Sequence, residues 1–263
     1  MNVQDDLYTG PSGPNGFVLY STSGPQTGNP AAVGEPAGDP TRQYGVGPLG
    51  RTVFLNIVPL ALATANIATL QAPTAQVPLA LAVGTGIVAG VAPDGSGSTV
   101  YFFDCARCVS LTSTANLSGI TFLVTAYDKY GQKWTQLVTG PNNNTVTTLK
   151  AAVAVLSVVP QGTSASTLSV GSSDIFGLPF RCIDAGYVLS AKWAGVLAQN
   201  AGTFTAAALA NPATNLTGDT RGTYAQSGPA SNGVNRLLIG QYVDGSQCGA
   251  NATLANAIGV PQA

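Results

Sequence analysis

Histidine is missing from this chain, glutamate occurs once, at Glu35, and methionine occurs once. Without His the commonest general base is gone, and with it any Ser-His-Asp arrangement. The other ten acidic residues are Asp, and no two of them sit in a recognisable glycosidase pair. Asp104 and Asp128 could converge in a β fold, but chance proximity accounts for that equally well. No GxxxxGK[ST] phosphate loop occurs, and no Gly-rich stretch leads from a strand into a clear helix. The sequence therefore predicts a non-enzymatic protein with no catalytic, cofactor-binding or metal residues and no cofactor.

Charge is the second scarcity. Asp, Glu, Lys and Arg make up 8% of the 263 residues, against roughly 25% in an ordinary soluble domain. A free monomer normally stays soluble through mixed surface charge. This chain must instead cover itself with Thr, Ser, Asn, Gln and Gly, or hide much of its surface in an assembly. The ten basic residues are scattered and the net charge is −1. No clustered footprint for phosphates or anionic lipid exists, so direct nucleic-acid binding is not expected. The N-terminus, MNVQDDLYTG, lacks the basic and apolar regions of a secretory leader. The most apolar stretch, Val77–Pro93, falls short of a membrane span and carries three Gly between Pro78 and Pro93. Buried strands joined by a Gly turn are the expectation there, and no membrane partner.

Four Cys stand at 105, 108, 182 and 248. With no leader, reduced thiols in a bacterial cytoplasm are expected. In an extended run, Cys105 and Cys108 would lie about 10 Å apart, beyond the roughly 7 Å that a disulfide spans. Their CARC spacing supplies half of a zinc site, but Cys182 and Cys248 form no second close pair. Buried core thiols are the simpler reading. Asp94-Gly95 and Asp244-Gly245 lack the acidic array of a calcium loop and read as turns. Trp134 and Trp193 are the candidates for a carbohydrate platform, yet each lies in an apolar strand pattern and suits a core. The Asn116, Asn143, Asn215 and Asn251 glycosylation tripeptides read as polar turns.

What the chain has in quantity is Gly, 32 residues, and Pro, 17, which favour turns over helices. Residues 1–50 are Gly/Pro-rich, and only Phe17–Tyr20 is apolar for any length. They predict an extended N-terminal arm, distinct from a body over residues 51–263. From Arg51 on, apolar and β-branched runs recur between turn residues. Strands are expected at Thr52–Val58, Leu79–Val91, Thr99–Cys105, Ala151–Val159, Thr167–Val170, Tyr187–Trp193, Thr203–Ala208, Asp219–Tyr224 and Arg236–Val243. Thr121–Gly140 reads as a hairpin turning at Asp128–Gly131. Ala206–Ala210 is too short to assign as a helix. The pattern predicts an all-β body, a β-sandwich or jelly-roll-like fold, without internal repeats.

Three segments carry a resemblance: ITFLVTAYDKYGQKWTQLVTGP (Ile120–Pro141), SVGSSDIFGLPFRCIDAGYVLSAKW (Ser169–Trp193) and TGDTRGTYAQSGPASNGVNRLLI (Thr217–Ile239). In order and spacing they resemble structural proteins encoded near the major capsid gene of tailed bacteriophages, over roughly residues 100–263. The resemblance implies a virion component, of the capsid decoration (cement) type, made in the host bacterial cytoplasm and carried on the capsid exterior. It also implies a jelly-roll or related β-sandwich oligomer, a dimer or trimer, seated between copies of the major capsid protein. The low charge agrees with this, because obligate interfaces replace charge with apolar and amide contacts. The alternative is a tail or head-fibre protein that binds a host surface glycan through an exposed aromatic groove.

Overall fold

The computed structural model describes residues 51–210 and 213–243. The arm expected over residues 1–50, the turn at Asp244-Gly245, Cys248 and Asn251 lie outside the described residues. Nearly all of what is described belongs to the unit Phe54–Gln241, and the account below concerns that unit.

The fold is all-β, a sandwich-like body of curled antiparallel sheets. Its strands are β1 (Arg51–Ile57), β2 (Ala68–Gln71), β3 (Val88–Val91), β4 (Thr99–Thr112), β5 (Thr121–Tyr127), β6 (Lys133–Thr139), β7 (Thr145–Pro160), β8 (Leu168–Gly177), β9 (Val188–Trp193), β10 (Thr203–Thr205), β11 (Thr223–Ala225) and β12 (Leu237–Val243). The larger sheet runs β10-β11-β8-β4-β7-β5-β6, with β2 added on β8 and β3 on β4; the smaller runs β1-β12-β9. The one helical element among the described residues is a 3-10 turn at Ala185–Tyr187. No helix among them is long and apolar enough to cross a membrane.

Period-two alternation builds the β5–β6 hairpin. Phe122, Val124 and Ala126 face inward opposite Val138, Gln136 and Trp134, so one face is buried and the register is fixed. Its turn falls where the sequence placed it. Asp128 Oδ1 accepts the Tyr130 and Gln132 amides, at 2.8 and 2.9 Å, an Asx device that fits Asp in this position. Gly131 adopts φ +77° there, which a side chain would resist.

Two core clusters result. One gathers Ile67, Val109, Leu111, Phe122, Trp134, Val155 and their neighbours on the larger sheet. The other sets Phe176 and Tyr224 against Leu55, Ala191, Trp193, Leu237 and Ile239 of the smaller sheet.

Several sequence expectations are corrected in extent. Only Val88–Val91 of Leu79–Val91 is a strand, and the run is not a buried pair, since Val83, Val88 and Val91 are exposed. Thr203–Ala208 shortens to β10. Asp219–Gly222 is a turn around a buried carboxylate, so only Thr223–Ala225 pairs. Ala206–Ala210 is not helical. Conversely, β4, β7 and β8 extend well beyond their apolar runs, into SLT, TVTTLK and GSSDIFG.

Candidate functional site

Among the described residues five charged side chains are buried: Arg107, Asp128, Lys150, Asp219 and Arg221. An unpaired ion in such a place is costly, so each must be matched locally. Arg107, on β4, pairs with Asp104 at 2.9 Å and lies 3.7 Å from Asp174 of β8. Its guanidinium stacks over Phe176, 5.5 Å from the ring centre. Asp174 accepts from the Ser231 amide at 2.8 Å and from its hydroxyl at 2.5 Å.

This ion pair also holds a loop. Arg107 Nη2 donates to the Leu60 carbonyl at 2.7 Å, and the Leu60 amide donates to Asp104 Oδ2 at 2.7 Å. The Leu62 amide bonds the Ser231 carbonyl, and the Gly233 amide bonds the Pro59 carbonyl. A charge cluster centred on the buried Arg107 thus fixes a segment whose own side chains, Val58, Leu60 and Leu62, are exposed.

A second network surrounds the hairpin. Arg221 pairs with Asp128 at 3.0 Å and lies over the Tyr130 ring. Asp219 accepts the Ala151, Arg221 and Gly222 amides; burial pushes its carboxyl up, and Arg221 opposes that. Lys150 donates to the Thr135 carbonyl at 3.2 Å and sits 5.8 Å from the centre of the Trp134 ring. Burial pulls its amine down to about 8, partly offset by Asp219.

The candidates weighed from sequence fall in separate places. Asp104 and Asp128 belong to the two different networks and form no carboxylate pair. Cys105, Cys108 and Cys182 are free thiols. Burial pushes Cys105 up to about 12 and Cys182 to about 11, and raises Cys108 further, which suits inert core thiols. Among the described residues no group of three or more His, Cys, Asp or Glu could hold a metal. Asp94 accepts the Tyr127 hydroxyl at 2.6 Å and the Ser96 amide; these bonds hold its carboxyl well below the usual range. Trp134 and Trp193 are buried, their indole N–H groups bonded to the Ala151 and Pro229 carbonyls. Asn116 forms an isolated antiparallel bridge with Asn142, Asn143 lies in the adjoining bend at positive φ, and the Asn215 carbonyl caps the β6 edge through the Leu137 amide.

The outer surface is the other half of the site. Among the described residues, eighteen large apolar side chains are exposed. Nine of them, Phe54 through Val91, fall between Thr52 and Pro93, where no Asp, Glu, Lys or Arg occurs. A monomer's exposed apolar residues are ordinarily scattered among charges; here half of them share one charge-free stretch. Sequence reasoning missed both halves. The signal for the surface was available, as a 42-residue run free of charge. The buried cations carried a fainter one, since Lys150 opens the apolar run that fills β7.

No protein-family model matches this chain, and neither a curated protein nor a solved structure shows significant similarity to it. What the fold and surface define is therefore a class: an all-β sandwich-like body that keeps ion pairs inside and presents a charge-free apolar stretch outside.

Proposed function

We propose that this chain is a non-enzymatic structural component of a bacteriophage virion, a decoration protein that stabilises the head from its exterior by bridging copies of the major capsid protein. The observation that carries the reading is the exposed apolar stretch from Phe54 to Val91, with Leu60 held by the Asp104 carboxylate and the buried Arg107, and Leu62 by the Ser231 carbonyl. Exposed apolar surface held rigidly loses little further entropy on docking, so more of its burial appears as affinity. An interface core depleted of charge is what obligate assemblies display. Self-association and many symmetry-related contacts would let modest individual gains add up over a particle. The glycan-binding fibre reading lacks its motive feature, because both Trp are buried and hydrogen-bonded rather than offered as a platform.

The test is binding to undecorated heads followed by heat challenge. Heads carrying the protein should resist disruption at higher temperature than bare heads. Absence of binding would overturn the decoration reading.

A further inference from the structure

We propose that two copies of this chain join edge to edge through β3, forming a continuous sheet across a two-fold axis at Gly90. This rests on the proposed function only in taking the chain to self-associate, and it goes further by naming the surface and the symmetry.

The open edge comes first. β3 pairs with β4 alone, in the register Val88↔Phe102, Ala89↔Tyr101, Gly90↔Val100 and Val91↔Thr99. Just beyond, the Ala92 amide donates to the Ser98 carbonyl at 2.9 Å, which continues the same register. Antiparallel ladders alternate hydrogen-bonded and non-bonded pairs. Ala92↔Ser98, Gly90↔Val100 and Val88↔Phe102 are therefore the bonded pairs. Ala89 and Val91 turn their N–H and C=O groups away from β4, where no strand among the described residues meets them.

Apart from its shortness, four residues, this edge has none of the usual protections. Natural edges carry Lys, Pro or a bulge to prevent pairing with another chain. Val88–Val91 has no charge, no Pro and an unbroken register, and both Val88 and Val91 are 66% exposed.

The edge is also self-complementary. Rotated about Gly90, Ala89 of one copy faces Val91 of the other, and each pair exchanges two N–H···O=C bonds, giving four in all. Gly90 then faces its own counterpart in a non-bonded pair, where Cα atoms approach to about 4.5 Å and a side chain would be crowded. A side chain there is excluded on other grounds too, because a Cβ on Gly90 would stand 2.8 Å from the Phe102 ring. Across the two-fold, Val91 and Ala89 share a face and make the cross-strand apolar contact that stabilises paired strands. The occupant is a second copy because a partner must match four uncharged edge groups without burying an unpaired charge. The chain's own Thr52–Pro93 stretch, free of charge throughout, does so with no partner charge to desolvate.

The experiment uses the full-length protein without capsids, so its failure leaves the decoration reading to its own test. Molecular mass is measured by sedimentation over a concentration series for the wild type, Val91→Pro and Ala89→Lys. Pro at position 91 removes an outward N–H while sparing the β3–β4 ladder, a position where edge strands accept Pro. Lys at position 89 is the edge protection that nature uses. Wild type should be dimeric and both variants monomeric, with dissociation constants raised about 100-fold: in Val91→Pro by loss of two of the four bonds and the clash of the ring, in Ala89→Lys by the unpaired charge placed on the joined edge. The Ala89 and Val91 amides of the wild type should exchange hydrogen more slowly as concentration rises. If Val91→Pro fails to fold, Ala89→Lys and the exchange rates decide. A monomeric wild type, an oligomer of the same mass in Ala89→Lys, or concentration-independent exchange at both amides would each overturn the proposal.

Discussion

The stretch from Thr52 to Pro93 and the β4–β7–β8 centre of the larger sheet invert each other's chemistry. The first has no charge and turns nine large apolar side chains outward. The second encloses Arg107 and Lys150 among Val109, Leu111, Val155 and Phe176, and matches them with carboxylates, carbonyls and aromatic faces. A soluble monomer built for stability alone would reverse both choices. Burying an ion pair is weak evidence for stability, since an apolar replacement often does as well. What it supplies here is position: Arg107 and Asp104 clamp the Leu60 backbone from both sides. The inner charges place the outer apolar groups.

The comparison breaks most readily at Arg107. Arg107→Ala leaves Asp104 and Asp174 without their cation and frees the Leu60 carbonyl. It should cost about 3–5 kcal/mol, the usual penalty for removing one partner of a buried pair, measured by urea denaturation. Arg107→Met refills the space and should recover part of that cost if the pair serves position rather than stability, yet should still loosen the loop. Faster hydrogen exchange at the Leu60 and Leu62 amides is the readout that separates position from stability.

At Lys150 the expected effect is smaller and depends on pH. Its folded-state pKa is lowered from 10.5 to about 8. Between those values the unfolded chain binds more protons than the folded one, so stability attributable to this group rises with pH across that window. The Cys thiols begin to titrate from 9.0 in the unfolded chain and, being raised when folded, act in the opposite direction. The clean interval is therefore pH 8 to 9. There the stability of wild type relative to Lys150→Met should increase by about 1 kcal/mol. A flat difference would mean that the amine is better solvated than its burial implies.

The smallest effect is expected on the outside. Leu62→Ser or Val83→Ser should change monomer stability by no more than about 0.5 kcal/mol, as for other surface sites. A loss several times larger in thermal denaturation would mean that these residues serve the fold rather than a partner.

How much of this was legible depended on what each residue was doing. The β5–β6 hairpin could be read in full, because alternation, the Asp128 turn and Gly131 all agree locally. β8 could not, because GSSDIFG looks like a loop. Its polar residues are in fact ladder positions where a crossing segment comes close. A Cβ on Gly171 would stand 2.1 Å from the Ala63 carbonyl oxygen, and Ser172 Oγ accepts the Ala63 amide at 3.1 Å. Long-range approach of that kind leaves no periodic trace. Leu79–Val91 failed in the other direction. Its hydrophobicity suggested burial, whereas Leu79 and Ile87 anchor the run and Val83, Val88 and Val91 face out. Composition reported that the stretch was apolar, but only the fold could say which side of the surface it occupied. The networks at Arg107 and Asp219 join residues more than sixty positions apart, so no spacing rule would have found them.

The central claim is that the charge-free outer stretch is an interface, and co-sedimentation with undecorated heads addresses it most directly. The triple variant Leu62→Lys, Val77→Lys, Val83→Lys places three charges on that surface at exposed positions. The account predicts that it melts like the wild type and fails to pellet with heads that the wild type saturates. Equal binding by the triple variant would contradict it.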